Sequence, residues 1–403
     1  MGFRYFGDHF MTVQYMATPS EFDDIRPYQD DEVQLVLNRL LHDNEFLDTV
    51  ARLKLPRFGR FAQRFARPLV RQALKREIRG VVDVNSFQMR VKDYLEKTIA
   101  KTTERLSISG LDNLTRDRAY CFISNHRDIA MDPAFVNWAL FHAGFNTLRI
   151  AIGDNLLSKP FASDLMRLNK SFIVKRSAPS PREKLKTAKK LSAYILHSIR
   201  IDRANIWIAQ REGRAKDGKD KTNPAILSML MLAKAKDQPL SEYLEQLAIV
   251  PVSISYEFDP CDEAKARELT LLAQTGEYQK APHEDVQSIA RGISGYKGRI
   301  HLAFGKPLVG NSASVDDVVG ALDDAIWRDY VLHATNCIAY EMLEGQSPDL
   351  PVGEDQQSFL SWSDNTLRRR FKERVDACEP AWREQLLRIY ANPVYTKLRL
   401  AEP

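Results

Sequence analysis

Residues 121–135 read CFISNHRDIAMDPAF, and this stretch decides the fold. The run Cys121–Ile123 is short and apolar, as suits a buried strand. After Ser124 come Asn125, His126, Arg127 and Asp128, and then Asp132 stands directly before Pro133. An Asp before a Pro is a helix-start signal, with Asp132 placed to cap and Pro133 suited to the first helical position. The stretch therefore predicts a strand, a loop carrying His126, and a helix over 133–143.

Working outward, the same alternation repeats. Strand candidates fall at 119–124, 148–152, 171–175, 205–209, 249–256 and 299–304. Helix candidates fall at 133–143, 156–168, 181–200 and 223–236. Strands alternating with helices predict an α/β fold with a mostly parallel sheet flanked by helices. Ligands of such sheets collect at the carboxyl ends of the strands. Residues 1–20 read as a tail, and residues 21–105 as a helical N-terminal domain with helical patterns at 30–50, 55–78 and 85–105. The α/β domain is expected over 106–310, including a polar excursion at 259–298. Residues 311–403 read as a C-terminal helical region.

Bulk properties narrow the function. The chain has 403 residues, with 58 Lys and Arg against 53 Asp and Glu, a formal charge of +5. That surplus is too small to imply a nucleic-acid partner. Cys121, Cys261, Cys337 and Cys378 are scattered without CxxC or zinc-ligand spacing, which predicts reduced thiols and a cytoplasmic setting. No metal is expected, because no ligand cluster occurs. No run approaches the roughly 18 apolar residues of a membrane span, and the first ten residues do not read as a signal peptide. Contact with lipid is expected to be peripheral, on the inner face of the cell membrane.

His126 and a nearby carboxylate suit general-base chemistry. An imidazole removes the proton from an attacking hydroxyl, while the carboxylate fixes its tautomer and stabilises the imidazolium. The same residues also fit a plainer role, Asp132 as a helix cap and His126 as a loop residue. No GxSxG elbow is present to support a serine hydrolase.

NHRDIAMD (residues 125–132) resembles the first block of the glycerolipid acyltransferase superfamily, the glycerol-3-phosphate and 1-acylglycerol-3-phosphate O-acyltransferases. The family pattern is a His, four residues and an Asp. Here five residues separate His126 from Asp132, so Asp128 is the alternative carboxylate. NKSFIVKRS (169–177) resembles the second block, with Lys175 and Arg176 at its basic positions. IAQREGRAKDG (208–218) resembles the third, a Glu-Gly-x-Arg signature, with one residue missing between Gly213 and Arg214. IVPVSISYE (249–257) resembles the fourth, with Pro251 inside an apolar strand. The resemblance covers roughly 106–256.

It implies transfer of a fatty acyl group from acyl-CoA or acyl-carrier protein to a hydroxyl of glycerol-3-phosphate or 1-acyl-sn-glycerol-3-phosphate, without a further cofactor. His126 would be the base and Asp132 its partner. Arg127, Lys175, Arg176, Glu212, Gly213, Arg214 and Lys216 would bind substrate. Pro251 would lie near the acyl-chain path or, read by its backbone alone, mark a strand edge or bulge. Arg offers phosphate a planar fork and Lys a point charge.

Residues 54–79 contain nine Lys or Arg and one Glu. Phe58, Phe61, Phe65 and Leu69 recur at helical spacing, with Gly59 and Pro68 as potential breaks. A basic amphipathic stretch of this kind suits an anionic membrane surface, an acidic acyl carrier protein, or simple packing on the core.

Overall fold

The computed structural model describes residues 20–54, 66–157, 159–281, 284–308 and 313–401. Seven strands form its main sheet: β1 (Thr103–Ser109), β2 (Cys121–Ser124), β3 (Arg149–Gly153), β4 (Ser171–Val174), β5 (Ile206–Ala209), β6 (Ile249–Tyr256) and β7 (Gly298–Phe304). Their spatial order is β1-β7-β6-β2-β5-β3-β4. Every pair is parallel except β6–β7. The α/β class and mostly parallel sheet expected from the alternation are what the chain adopts.

Before the sheet lie α1 (Val33–His42), α2 (Asn44–Lys54), α3 (Arg67–Glu77) and α4 (Val84–Thr102). Then come α5 (Met131–His142), α6 (Pro160–Leu168), α7 (Pro181–Arg200), α8 (Pro224–Leu230), α9 (Leu240–Leu247), α10 (Asp262–Thr275) and α11 (Glu284–Ser294). The chain closes with α12 (Val315–Asp329), α13 (Ala334–Glu344), α14 (Asn365–Ala377) and α15 (Arg383–Ala401).

Both faces of the sheet are covered, which is why its central strands are apolar throughout rather than alternating. On one face Phe122, Trp207 and Val250 pack with Met131, Phe135 and Leu140 of α5. On the other, Ile123 and Ile208 pack with Leu191 and Ile195 of α7, Leu227 of α8 and Leu322 of α12. A separate core joins Phe258 and Ala266 to α13, α14 and α15.

Three expectations need correction. Strand β1 begins at Thr103, within the stretch read as helix 85–105, and runs on to Ser109. It follows α4 without a linker, and its half-exposed sequence TERLSIS lacks the apolar run that marks the inner strands. The boundary drawn at residue 310 separates α12 from the sheet, yet Val318, Leu322 and Ile326 complete one of its cores. Pro251 sits in a central strand, paired with Ile123 of β2. It marks neither an edge nor the cavity wall. Its carbonyl accepts from the Gly305 amide at the end of the β6–β7 ladder, so the missing N–H costs only a terminal bond.

Of the basic stretch, Phe58, Gly59, Phe61 and Phe65 lie outside the described residues. Pro68 stands in the first turn of α3, where a proline is tolerated. Leu69 on that helix is 70% exposed.

Candidate active site

The loop after β2 is anchored from several sides. Asn125 donates to the Ile254 carbonyl (2.9 Å) and accepts from the Ile254 amide (2.8 Å), tying the end of β2 to β6. The His126 carbonyl accepts from the Ala215 amide (2.8 Å), tying it to the loop after β5. Lys265 of α10 donates to the Arg127 carbonyl (2.7 Å).

Helix α5 begins at Met131, not Pro133, so Asp132 is in its first turn rather than at the cap. From there Oδ2 of Asp132 accepts from the Arg127 amide (2.6 Å), the Asp128 amide (2.9 Å) and Nδ1 of His126 (2.9 Å). Its Oδ1 accepts from the Tyr256 hydroxyl (2.7 Å). The helix N-terminus adds a favourable field for this fully buried carboxylate. Because Asp132 meets only donors, Nδ1 of His126 carries the hydrogen and Nε2 keeps its lone pair. The imidazole stands edge-on to Trp207, with ring centroids 5.5 Å apart.

Asp128 does the capping instead. Its Oδ1 accepts from the amides of Ala130 (3.0 Å) and Met131 (2.8 Å). Burial, reinforced by the nearby Asp132 charge, pushes its carboxyl above the ordinary range. The carboxylate against His126 in this structure is therefore that of Asp132, and the five-residue spacing is absorbed by the turn that Asp128 closes.

His126 lines a cavity of about 930 Å³ with apolar depths and a charged rim. Arg176, Arg211, Glu212, Gly213, Arg214 and Lys216 stand on its wall. Lys216 is already paired with the buried Glu268 (2.6 Å), and Arg176 lies 3.2 Å from Glu212. Arg214 donates to the Ser288 hydroxyl (3.3 Å). Neither Arg211 nor Arg214 has a carboxylate partner among the described residues. Gly213 adopts φ +70°, and a Cβ there would meet nothing within 4 Å, so the glycine serves conformation rather than close approach.

Two expected substrate contacts point elsewhere. Lys175 is bound to Asp24 outside the cavity: just past the end of β4 the alternation continues, and Arg176, in step with Phe172 and Val174, takes the inner direction. Arg127 is buried behind the loop, paired with Asp220 (2.5 Å) and set over the Tyr330 ring at 5.4 Å. Burial works against its charge, and Asp220, Tyr330, Asp259 and Asp132 together more than offset this, Asp220 contributing most among them.

The motif reading passed over Tyr256, Arg211, Ser288 and Gly292. Tyr256 stood inside the fourth block and Arg211 inside the third, but only folding brings Tyr256 onto Asp132. Helix α11 lies so close to the loop that a Cβ on Gly292 would collide with the Asp128 carboxylate. Gly to Ala in a helix ordinarily stabilises by up to about 1 kcal/mol. Here the sign reverses. Gly292→Ala is expected to cost about 1–3 kcal/mol through overpacking, measured as a lower urea midpoint, and to slow turnover with it.

The sequence pattern of the Acyltransferase family matches residues 105–255. That segment is similar to an acyltransferase domain. The matched segment runs from within β1 nearly to the end of β6 and contains His126, Asp132 and the arginine-bearing loop. No curated protein matches the chain. Among solved structures, it is similar to the 1-acyl-sn-glycerophosphate (LPA) acyltransferase PlsC from Thermotoga maritima. The likeness covers 74% of this chain and 95% of that one at 16% identity, with a TM-score of 0.33. Outside the matched segment, α4 and α11 also wall the cavity, through Leu95, Ile289 and Ile293. Among the described residues no helix is long and apolar enough to cross a membrane, and no group of His, Cys, Asp and Glu is arranged to hold a metal.

Proposed function

We propose that the protein transfers a fatty acyl group from an acyl thioester, of coenzyme A or acyl carrier protein, to a hydroxyl of a glycerol-phosphate acceptor. The observation that carries this reading is the His126–Asp132 pair, with Nε2 unpartnered among the described residues, on a cavity that is apolar within and cationic at its rim. Nε2 takes the proton of the acceptor hydroxyl as its oxygen attacks the thioester carbonyl carbon. The tetrahedral intermediate collapses, the C–S bond breaks, and the imidazolium returns the proton to the departing thiolate. Asp132 stabilises the imidazolium in between.

Arg211 and Arg214, which have no carboxylate partner among the described residues, would take up phosphate, with Arg176 beside them. Exposed Leu69 on α3, Tyr94 on α4 and Val82 between them give the N-terminal region apolar surface suited to a peripheral hold on an anionic bilayer. Tyr94 also lines the cavity, so that surface adjoins the place where a lipid would enter.

The test is to incubate purified protein with labelled acyl thioesters and a panel of acceptors and to identify products by mass. Transfer to no phosphate-bearing alcohol would sink the proposal. Arg214→Ala is expected to raise the acceptor KM about ten- to hundredfold, the worth of a charged hydrogen bond. Lys175→Ala, away from the cavity, should leave KM and kcat within about threefold, since an exposed ion pair contributes little.

A further inference from the structure

Tyr256 ends a row of β6 that is otherwise apolar. Val250, Val252 and Ile254 share its face of the sheet, and all four belong to the core against α5. Tyr256 is buried, and its ring stands edge-on to Phe135 of α5 with centroids 6.0 Å apart. That packing would accept a phenylalanine. A hydroxyl in the same place is costly unless it finds a partner.

The partner it finds is Oδ1 of Asp132, at 2.7 Å, and among the described residues no other donor reaches that oxygen. Oδ2 is where the Arg127 and Asp128 amides and Nδ1 of His126 converge. Three donors on one oxygen fix a point, about which a carboxylate can still pivot. The Tyr256 bond supplies a second point, and with it the plane.

The donor is itself held in register with the loop. Both backbone polar groups of Ile254, two residues before Tyr256, are bonded to the side chain of Asn125, the residue before His126. Tyr256 is paired with Ile300 of β7. Burial, with the Asp132 and Asp128 carboxyls nearby, pushes its hydroxyl well above the ordinary tyrosine range, so it stays a donor.

We infer that Tyr256 is a positioning residue of the site: through Oδ1 it fixes the plane of the Asp132 carboxylate, and so the direction in which His126 presents Nε2. This rests on the acyl-transfer reading above, in which His126 is the base. Without the hydroxyl, Oδ1 is left buried and unbonded. The carboxylate then turns toward another donor, and the imidazole loses the direction set at Nδ1.

Two changes test this. Tyr256→Phe removes the hydroxyl alone, and a ring-fluorinated tyrosine placed at 256 makes the same hydroxyl a stronger donor. The Nδ1 proton of His126 is read as a low-field proton resonance in protein carrying isotope-labelled histidine, assigned by its loss in His126→Ala. That signal needs no turnover. Transfer is assayed on the same preparations, from palmitoyl-coenzyme A and palmitoyl-acyl carrier protein to glycerol-3-phosphate and 1-palmitoylglycerol-3-phosphate.

Tyr256→Phe is expected to lower kcat by about tenfold or more with KM within about twofold, since the base is misdirected while substrate binding is untouched. Its Nδ1 resonance should broaden or vanish through exchange with water. The fluorinated protein should keep the resonance and move it upfield, because a stronger bond at Oδ1 weakens the hold of Asp132 on Nδ1–H. Should Tyr256→Phe fail to fold in a thermal melt, the fluorinated protein, whose ring packing is preserved, decides through that shift. Unchanged kcat or an unchanged resonance in folded Tyr256→Phe would overturn the inference, as would fluorination that leaves the resonance in place. Failure of the unsubstituted protein on all four substrate pairs would count against the acyl-transfer reading instead, and the resonance would then decide the role of Tyr256 by itself.

Discussion

His126→Ala is expected to lower kcat for acyl transfer by roughly a hundred- to ten-thousandfold, the usual contribution of a general base. The fold should survive. The ring makes one hydrogen bond to Asp132, and that carboxylate keeps two backbone amides and the Tyr256 hydroxyl after the ring is gone. A cost of about 1–2 kcal/mol in stability is therefore expected, small enough that the loss of turnover cannot be unfolding. Single-turnover rates at saturating substrate, with a urea melt of the same preparation, separate the two. Retention of more than a tenth of the activity would rule His126 out as the base.

The two neighbouring carboxylates give the sharper comparison. Asp132→Ala removes the acceptor of four hydrogen bonds and should lose turnover and stability together. Asp128→Asn should keep turnover within a few-fold, because an amide oxygen can still accept from Ala130 and Met131. The native carboxyl there is disfavoured as an anion by burial and by Asp132, so the neutral side chain removes a repulsion. Were the outcomes exchanged, the pairing seen in the structure would not be the working one.

These residues also show what a sequence of this kind makes legible. The alternation of short apolar runs with amphipathic stretches located six of the seven strands, because both-face burial leaves a strong apolar signal in β2 to β7. β1 escaped because it is an edge strand with polar residues, fused to the end of α4. Position 126 was readable from its place after a strand. The bonds of Asp132 were not, since they depend on a turn that the Asp128 side chain closes by accepting from the Ala130 and Met131 amides. Lys175 and Arg127 misled for one reason. A basic residue at a strand end has two directions open to it, and only the packed neighbours, Asp24 for one and Asp220 for the other, decide which it takes.

Asp220→Ala is expected to be among the most destabilising single changes near the site, costing about 3–5 kcal/mol. Arg127 and Asp220 are 6% and 2% exposed, so removing the carboxylate leaves a guanidinium in the interior with its principal counter-charge gone. Asp220 also accepts from Asn125 (3.1 Å), the residue that ties β2 to β6, so the disturbance begins one residue from His126. The Trp327 indole donates to the Asp220 carbonyl (3.0 Å), and Arg127 faces Tyr330, so the pair joins the β2 loop, the loop after β5 and the end of α12.

A urea melt of Asp220→Ala should therefore show a lower midpoint. The double variant Arg127→Met, Asp220→Leu should recover most of the loss, because burying two apolar side chains avoids desolvating two charges. Turnover supplies the second readout. If the pair only contributes stability, the double variant regains activity along with its midpoint. If the charges also hold the two loops in register around His126, stability returns while kcat stays low. A cost below about 1 kcal/mol for Asp220→Ala would mean that water reaches the guanidinium and that the apolar packing around Tyr330, rather than the ion pair, fixes the loop.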